Sequence, residues 1–143
     1  MNTKKELALI KDLYAKGINI IEYLRTGEGT GNNPPEAILT AYDFQATKFM
    51  KSAIEMPDFV QKYTKEVAEV INSLGGASSL LEAGTGSSTT LSGILEHLDQ
   101  MPSSVMGFDV AWSRVRYGVE YFKLKKQNAT LFVADMFQMP LAD

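Results

Sequence analysis

The chain has no cysteine. Disulfides and thiolate zinc sites are therefore excluded, and the composition fits a reducing compartment such as the cytoplasm. Histidine is nearly absent too. The one copy, His97, falls in a helical stretch, is expected to be exposed, and is no candidate base. No metal site is expected. No apolar run approaches the ~20 residues of a membrane span, and the first residues, Met1 to Glu6, lack the apolar region of a signal peptide. There is no excess of positive charge. Fourteen Lys and Arg against 17 Asp and Glu leave a net charge of −3, with no electrostatic footprint for nucleic acid. Lys4, Lys5, Lys123, Lys125 and Lys126 read as solvated helix surface. There is no internal repeat.

What is present is ordinary for a globular protein. The 143 residues, 45% hydrophobic and 22% charged, make one domain's worth of chain with enough apolar surface for a core. The seven methionines read as adaptable core packing. Helical signals fill the first half. Thr3 can cap a helix carrying Leu7, Ile10, Leu13 and Tyr14 at i, i+3, i+4 spacing and ending near Gly17. The run 18–24 is helix or buried turn. The stretch 26–33 is a glycine-rich connector; it has no preceding strand and no Gly-Lys-Ser/Thr that would make it a phosphate cradle. Pro34-Pro35 opens a long helix through Ile38, Leu39, Tyr42, Phe49 and Met50. Another begins near Asp58 and ends at Gly75-Gly76, giving a helical cap region over 1–76.

The most informative stretch is Leu80-Leu81-Glu82-Ala83-Gly84-Thr85-Gly86. An apolar strand ends in a carboxylate, breaks into a glycine-spaced turn, and enters a helix at Ser87-Ser88-Thr89-Thr90. Strand, glycine turn and helix form the entry unit of a nucleotide-binding α/β sheet. A dinucleotide site wants a third glycine, so that a pyrophosphate can approach the helix N-terminus. Here Thr89 holds that position, and Glu82 would repel a pyrophosphate while attracting a cationic amine. The expected ligand is a nucleoside carrying a positive group and no phosphate. Residues 105–110 and 130–135 read as second and third strands, each containing an acid at its end, Asp109 and Asp135.

This pattern over 78–143 resembles the class I S-adenosylmethionine-dependent methyltransferases, and 41–46 is similar to the helical cap before their first strand. The resemblance implies a Rossmann-like fold with S-adenosyl-L-methionine as cofactor. Glu82, Gly84, Thr85 and Gly86 then lie at the methionine half, with Ser88 where a third glycine is common. Asp109 takes the ribose hydroxyls and Val110 the adenine face. Asp135 meets the adenine amino group beside Met136, and Tyr42 faces the ligand from the cap. The implied chemistry is in-line methyl transfer, with a small-molecule acceptor favoured by the missing basic patch. No catalytic base stands out.

Plainer roles stand beside these. Glu82 can cap the glycine turn, Asp109 can cap the helix near Ala111, and Asp135 can be a surface turn acid. Tyr42 can be a core residue with Gln45 exposed, and Trp112 a packing residue. Two other functions stay open: a non-catalytic half-domain that binds the cofactor or self-associates, and an NAD-dependent oxidoreductase, which Glu82 and the missing glycine disfavour. The family's sheet has seven strands, so 77–143 reads as the first half of such a domain, from a longer protein, with strand order 3-2-1. Its first strand then forms an open edge, and a homodimer through that edge is expected.

Overall fold

The computed structural model describes residues 3–18, 23 and 35–141. The glycine-rich connector 26–33 and most of the run 18–24 lie outside them. The elements in order are α1 (Thr3–Ala15), α2 (Pro35–Glu55), α3 (Pro57–Ser73), β1 (Ser79–Ala83), α4 (Thr89–Leu95), β2 (Ser104–Asp109), α5 (Trp112–Lys125) and β3 (Thr130–Val133). The chain divides into two compact units, Met1–Ala41 and Tyr42–Asp143.

In the first unit α1 ends as its glycine dictates. Gly17 takes a φ of +72°, and the Ile18 N–H closes on the Leu13 carbonyl at 3.0 Å. Leu13 is buried, whereas Tyr14, expected beside it on the apolar face, points outward.

The second unit carries the sheet. Pro57 starts α3 at its first turn, where a missing N–H costs nothing, and Gly75 and Gly76 end it with φ of +91° and +83°. The strands are parallel in the order β1-β2-β3, with Leu80 opposite Val105, Glu82 opposite Gly107, and Asp109 opposite Val133. This is the expected Rossmann-like half-sheet. β2 lies in its middle, so Val105, Gly107 and Phe108 are buried on both of its faces. On one face Val105 packs with Leu91, Leu95 and Phe122. On the other the Phe108 and Phe132 rings stack at 5.6 Å. Burying a side chain such as Phe108 or Leu91 completely contributes about 1.5–3 kcal/mol. Helices α3 and α4 meet where Gly93 faces the buried Thr64; a Cβ on Gly93 would lie 2.7 Å from Thr64 Oγ1. The contact therefore requires glycine.

Strand ends differ from expectation by one or two residues. β2 stops at Asp109, because its own carboxylate accepts the Ala111 N–H at 2.8 Å and turns the chain. β3 stops at Val133, since Asp135 opens a turn instead. His97 is not exposed: it is half-buried, and its Nε2 has no hydrogen-bond partner among the described residues. Among the described residues the methionines do not fill the core. Met56, Met101, Met136 and Met139 are all exposed, and Trp112 is exposed under Arg116 rather than packed. Among the described residues, no helix is long and apolar enough to cross a membrane. Nor does any group of His, Cys, Asp or Glu among them form a metal cage.

Candidate functional site

Parallel strands leave their carboxyl ends on one side of a sheet, and the loops that follow them make the site. Here the loop after β1 is a tight coil of left-handed residues, with φ of +70° at Gly84, +55° at Gly86 and +56° at Ser88. Two of these are glycine, which adopts such angles without a Cβ clash. The third is Ser88, at the position where the resembled family commonly has a glycine, and it sits fully buried at the entry to α4.

Asp109 holds this coil in place. Its Oδ2 accepts the Gly86 N–H at 2.9 Å and its Oδ1 the Ala111 N–H at 2.8 Å, and the residue is only 6% exposed. One carboxylate thus joins the loop after β1 to the loop after β2. The Thr85 N–H adds a 2.8 Å bond to the Phe108 carbonyl. Each Asp109 oxygen keeps a further acceptor direction, since a carboxylate offers about four.

Glu82 stands behind the coil at the end of β1. The Thr85 hydroxyl donates to its Oε2, and Thr85 Oγ1 lies 3.1 Å from Ser88 Oγ. Glu82 therefore does cap the turn, as one of its plainer roles required. Burial raises its pKa above the ordinary 4.5; the Thr85 hydroxyl and the Leu91 backbone N–H draw it back, and the Asp109 charge pushes it up again.

A raised carboxyl pKa means that the folded chain binds more protons than the unfolded one between the two pKa values. Its stability contribution is present below the unfolded value and is lost as pH rises through the folded one. Replacing Glu82 with Gln should remove that decline. In urea melts across that window, E82Q is expected to show a flatter stability profile than wild type above pH 4.5. An unchanged slope would show that Glu82 is not desolvated.

Asp135 sits at the carboxyl end of β3, beside the Ala134 N–H that bonds the Asp109 carbonyl at 3.1 Å. Its carboxylate is exposed and folds back on its own turn, accepting the Phe137 N–H at 2.9 Å. So Glu82 and Asp109 are brought together, and Asp135 shares their end of the sheet without joining their hydrogen bonds. Val110 and Met136 are both exposed at that end.

Arg114 is the residue that the sequence did not reveal. It lies in the first turn of α5, with its guanidinium 4.1 Å from the Tyr42 ring centroid and 4.9 Å from that of Phe49. Its NH2 nitrogen donates to Gln45 Oε1 at 3.4 Å, and NH1 would lie 3.2 Å from a Cβ on Gly86. Its Nε is buried and has no partner among the described residues. Tyr42 and Gln45 thus grip an arginine that presses on the glycine coil. Two more bonds hold α2 there, from Ser87 Oγ to the Ala46 carbonyl at 3.3 Å and from Ser113 Oγ to the Asp43 carboxylate. Arg114 is a cation with spare donors beside the coil, suited to a carboxylate.

No protein-family model matches the chain, and no curated protein matches it. Solved structures do. One, described as an S-adenosyl-L-methionine-dependent methyltransferase from Methanococcus maripaludis, aligns at a TM-score of 0.59 and 14% identity, over 71% of this chain and 45% of that one. Another, described as an O-methyltransferase from Klebsiella pneumoniae, aligns at 0.47 and 12%, over 82% and 50%. A third, the plantazolicin methyltransferase BamL in complex with a triazolic desmethylPZN analog and SAH, aligns at 0.41 and 14%, over 90% and 41%. The chain spans about half the length, or less, of the structures it resembles. What it shares with the first of them is the fold, the Rossmann-like methyltransferase half-sheet with its helices.

Proposed function

We propose that this chain binds S-adenosyl-L-methionine at the carboxyl ends of its strands and forms the donor-binding half of a methyltransferase acting on a small molecule. The observation that carries it is the Asp109 carboxylate, buried, tied to Gly86 and still holding acceptor directions for two ribose hydroxyls. Glu82 and the coil at Gly84, Thr85 and Gly86 would meet the methionine half, whose ammonium suits a half-buried acid. Arg114, steadied by Tyr42, would take its carboxylate. Val110 and Met136 offer exposed apolar surface for adenine, and Asp135 an acceptor for its amino group. An NAD-dependent oxidoreductase is the weaker alternative, because an acid at Glu82 would repel a pyrophosphate and Thr89 stands where a third glycine would let one approach. The chemistry is displacement at the sulfonium methyl, where orientation supplies most of the rate.

S-adenosylhomocysteine, titrated calorimetrically, should bind with a Kd below about 1 mM. R114M should weaken it roughly 10-fold or more, and R114K less, as expected for a lost charge-assisted pair. No binding by wild type would reject the donor site; equal affinity in R114M would reject the role of Arg114. The chain by itself is proposed to bind the donor without turning over an acceptor, which is where the non-catalytic alternative coincides with it.

A homodimer through β1 is also proposed. β1 pairs only with β2 among the described strands, and Leu81 on it is 40% exposed. Sedimentation equilibrium at micromolar concentration should give a two-chain mass, and L81K a one-chain mass. A monomer with slow amide exchange along residues 80–83 would overturn this.

A further inference from the structure

A hollow of about 890 Å³ opens between the C-terminal part of α2, α3 and the first turn of α4. Four large apolar side chains surround it, Phe49, Met56, Phe59 and Tyr63, and all four keep roughly half or more of their surface exposed, up to 85% for Phe59. They contribute little to the core, and they converge on one cavity. Its size falls within the range of small-molecule sites, about 300–1,000 Å³, and such sites are mostly apolar with few polar groups.

The hollow adjoins the glycine coil. Thr89 and Thr90, which follow the coil containing Gly86, are part of its lining. Phe49 lines it and also faces the Arg114 guanidinium, which touches that same coil. One charge of each sign, Lys62 and Glu66, stands in the lining, so neither an anion nor a cation is favoured as a whole.

We infer that this hollow forms part of the acceptor site, and that it takes an uncharged, largely aromatic small molecule whose nucleophilic heteroatom points toward Thr89. The acceptor assignment holds only with the methyl donor at the glycine coil, as proposed above. In the transfer the heteroatom forms a bond to the methyl carbon, and the carbon–sulfur bond breaks. Its electron pair stays on sulfur, S-adenosylhomocysteine leaves as a neutral thioether, and the heteroatom's proton passes to water. Part of the acceptor site is thus already built in this half of the fold, in the helices before the first strand.

The test uses 2-naphthol as probe, titrated by its fluorescence into the full chain with S-adenosylhomocysteine present. Binding with a Kd below about 1 mM is expected. S52W should fill the hollow, and F59S should strip one wall at an exposed position that the fold does not need. Each should weaken 2-naphthol roughly tenfold, about 1.4 kcal/mol, with S-adenosylhomocysteine affinity retained. If 2-naphthol fails to bind wild type while S-adenosylhomocysteine binds, the acceptor inference falls and the donor site stands. If 2-naphthol binds and S-adenosylhomocysteine does not, the donor site falls and takes the acceptor assignment with it. If F59S instead turns a dimer into a monomer and 2-naphthol never saturates, the hollow is a face for a second copy and the inference is wrong.

Discussion

Replacing Asp109 with alanine should cost this chain a large share of its stability as well as its ligand. The carboxylate is buried and accepts the Gly86 and Ala111 N–H groups. An alanine leaves both donors without a partner in a place water hardly reaches, at about 1–3 kcal/mol for each. The sum, roughly 2–6 kcal/mol, is a large share of the 5–15 kcal/mol typical of a domain. D109N separates the two effects. Its amide oxygen can still accept one N–H, but its NH2 faces the other, so about half of the loss is expected. Urea unfolding measures stability, and calorimetry with S-adenosylhomocysteine measures the ligand. D109N should fold and still lose roughly 30-fold or more in affinity, about 2 kcal/mol, because the ribose hydroxyls lose a charged acceptor. A D109A chain of wild-type stability would show that the carboxylate does not hold the coil.

The dual duty of Asp109 shows where the sequence is legible and where it stops. Glycines at alternate positions after an apolar strand announce a left-handed coil, and they stand there with positive φ. The helix ends marked by Pro35, Gly17 and Gly75 are equally plain, because these residues act through their own backbone geometry, whereas the start read near Asp58 falls at Pro57. The strand order came with the family resemblance and agrees with the register of the three strands. Arg114 gave no such signal. Its importance arises from Tyr42 and Phe49, about seventy residues earlier, which reach it only once α2 lies against α5. A long-range contact of that kind leaves no periodicity. The hollow beside Phe59 and Tyr63 was hidden for a related reason. On a helical wheel these residues read as one more core face of α3, but the residues of α3 that are buried are Thr64 and Ala68. Small residues let α3 approach α4 closely at Gly93, and the large ones are left facing the cavity. Methionine misled in the same way, since its apolar character does not decide which side of a helix is covered.

Gly118 offers the sharpest check on how the coil and the helix behind it are coupled. In the interior of a helix, glycine to alanine normally stabilises by about 0.5–1 kcal/mol. Gly118 lies within α5, so G118A should follow that rule if nothing else touched it. Something does. A Cβ there would lie 2.6 Å from Ser88 Oγ and 3.2 Å from Ser88 Cβ. Ser88 is fully buried in the left-handed region; turning its Oγ away would give up the 3.1 Å contact with Thr85 Oγ1 and still leave its Cβ 3.2 Å from the new methyl. The sign should therefore invert, with G118A destabilising by about 1–3 kcal/mol as an overpacked core does. S88G alone should change little: it relieves the left-handed strain, about 1–2 kcal/mol, while giving up side-chain contacts and adding chain entropy. Together the two changes remove the collision and keep the helix gain, so the double variant should return to wild-type stability or above. The coupling between the two sites should then be about 1–3 kcal/mol in a double-mutant cycle of urea melts. S-adenosylhomocysteine affinity should fall in G118A and recover in the double variant, since the displaced coil is the proposed ligand surface. A G118A chain more stable than wild type would mean that α5 and the coil are not in contact, and additive effects of the two changes would mean that they do not constrain one another.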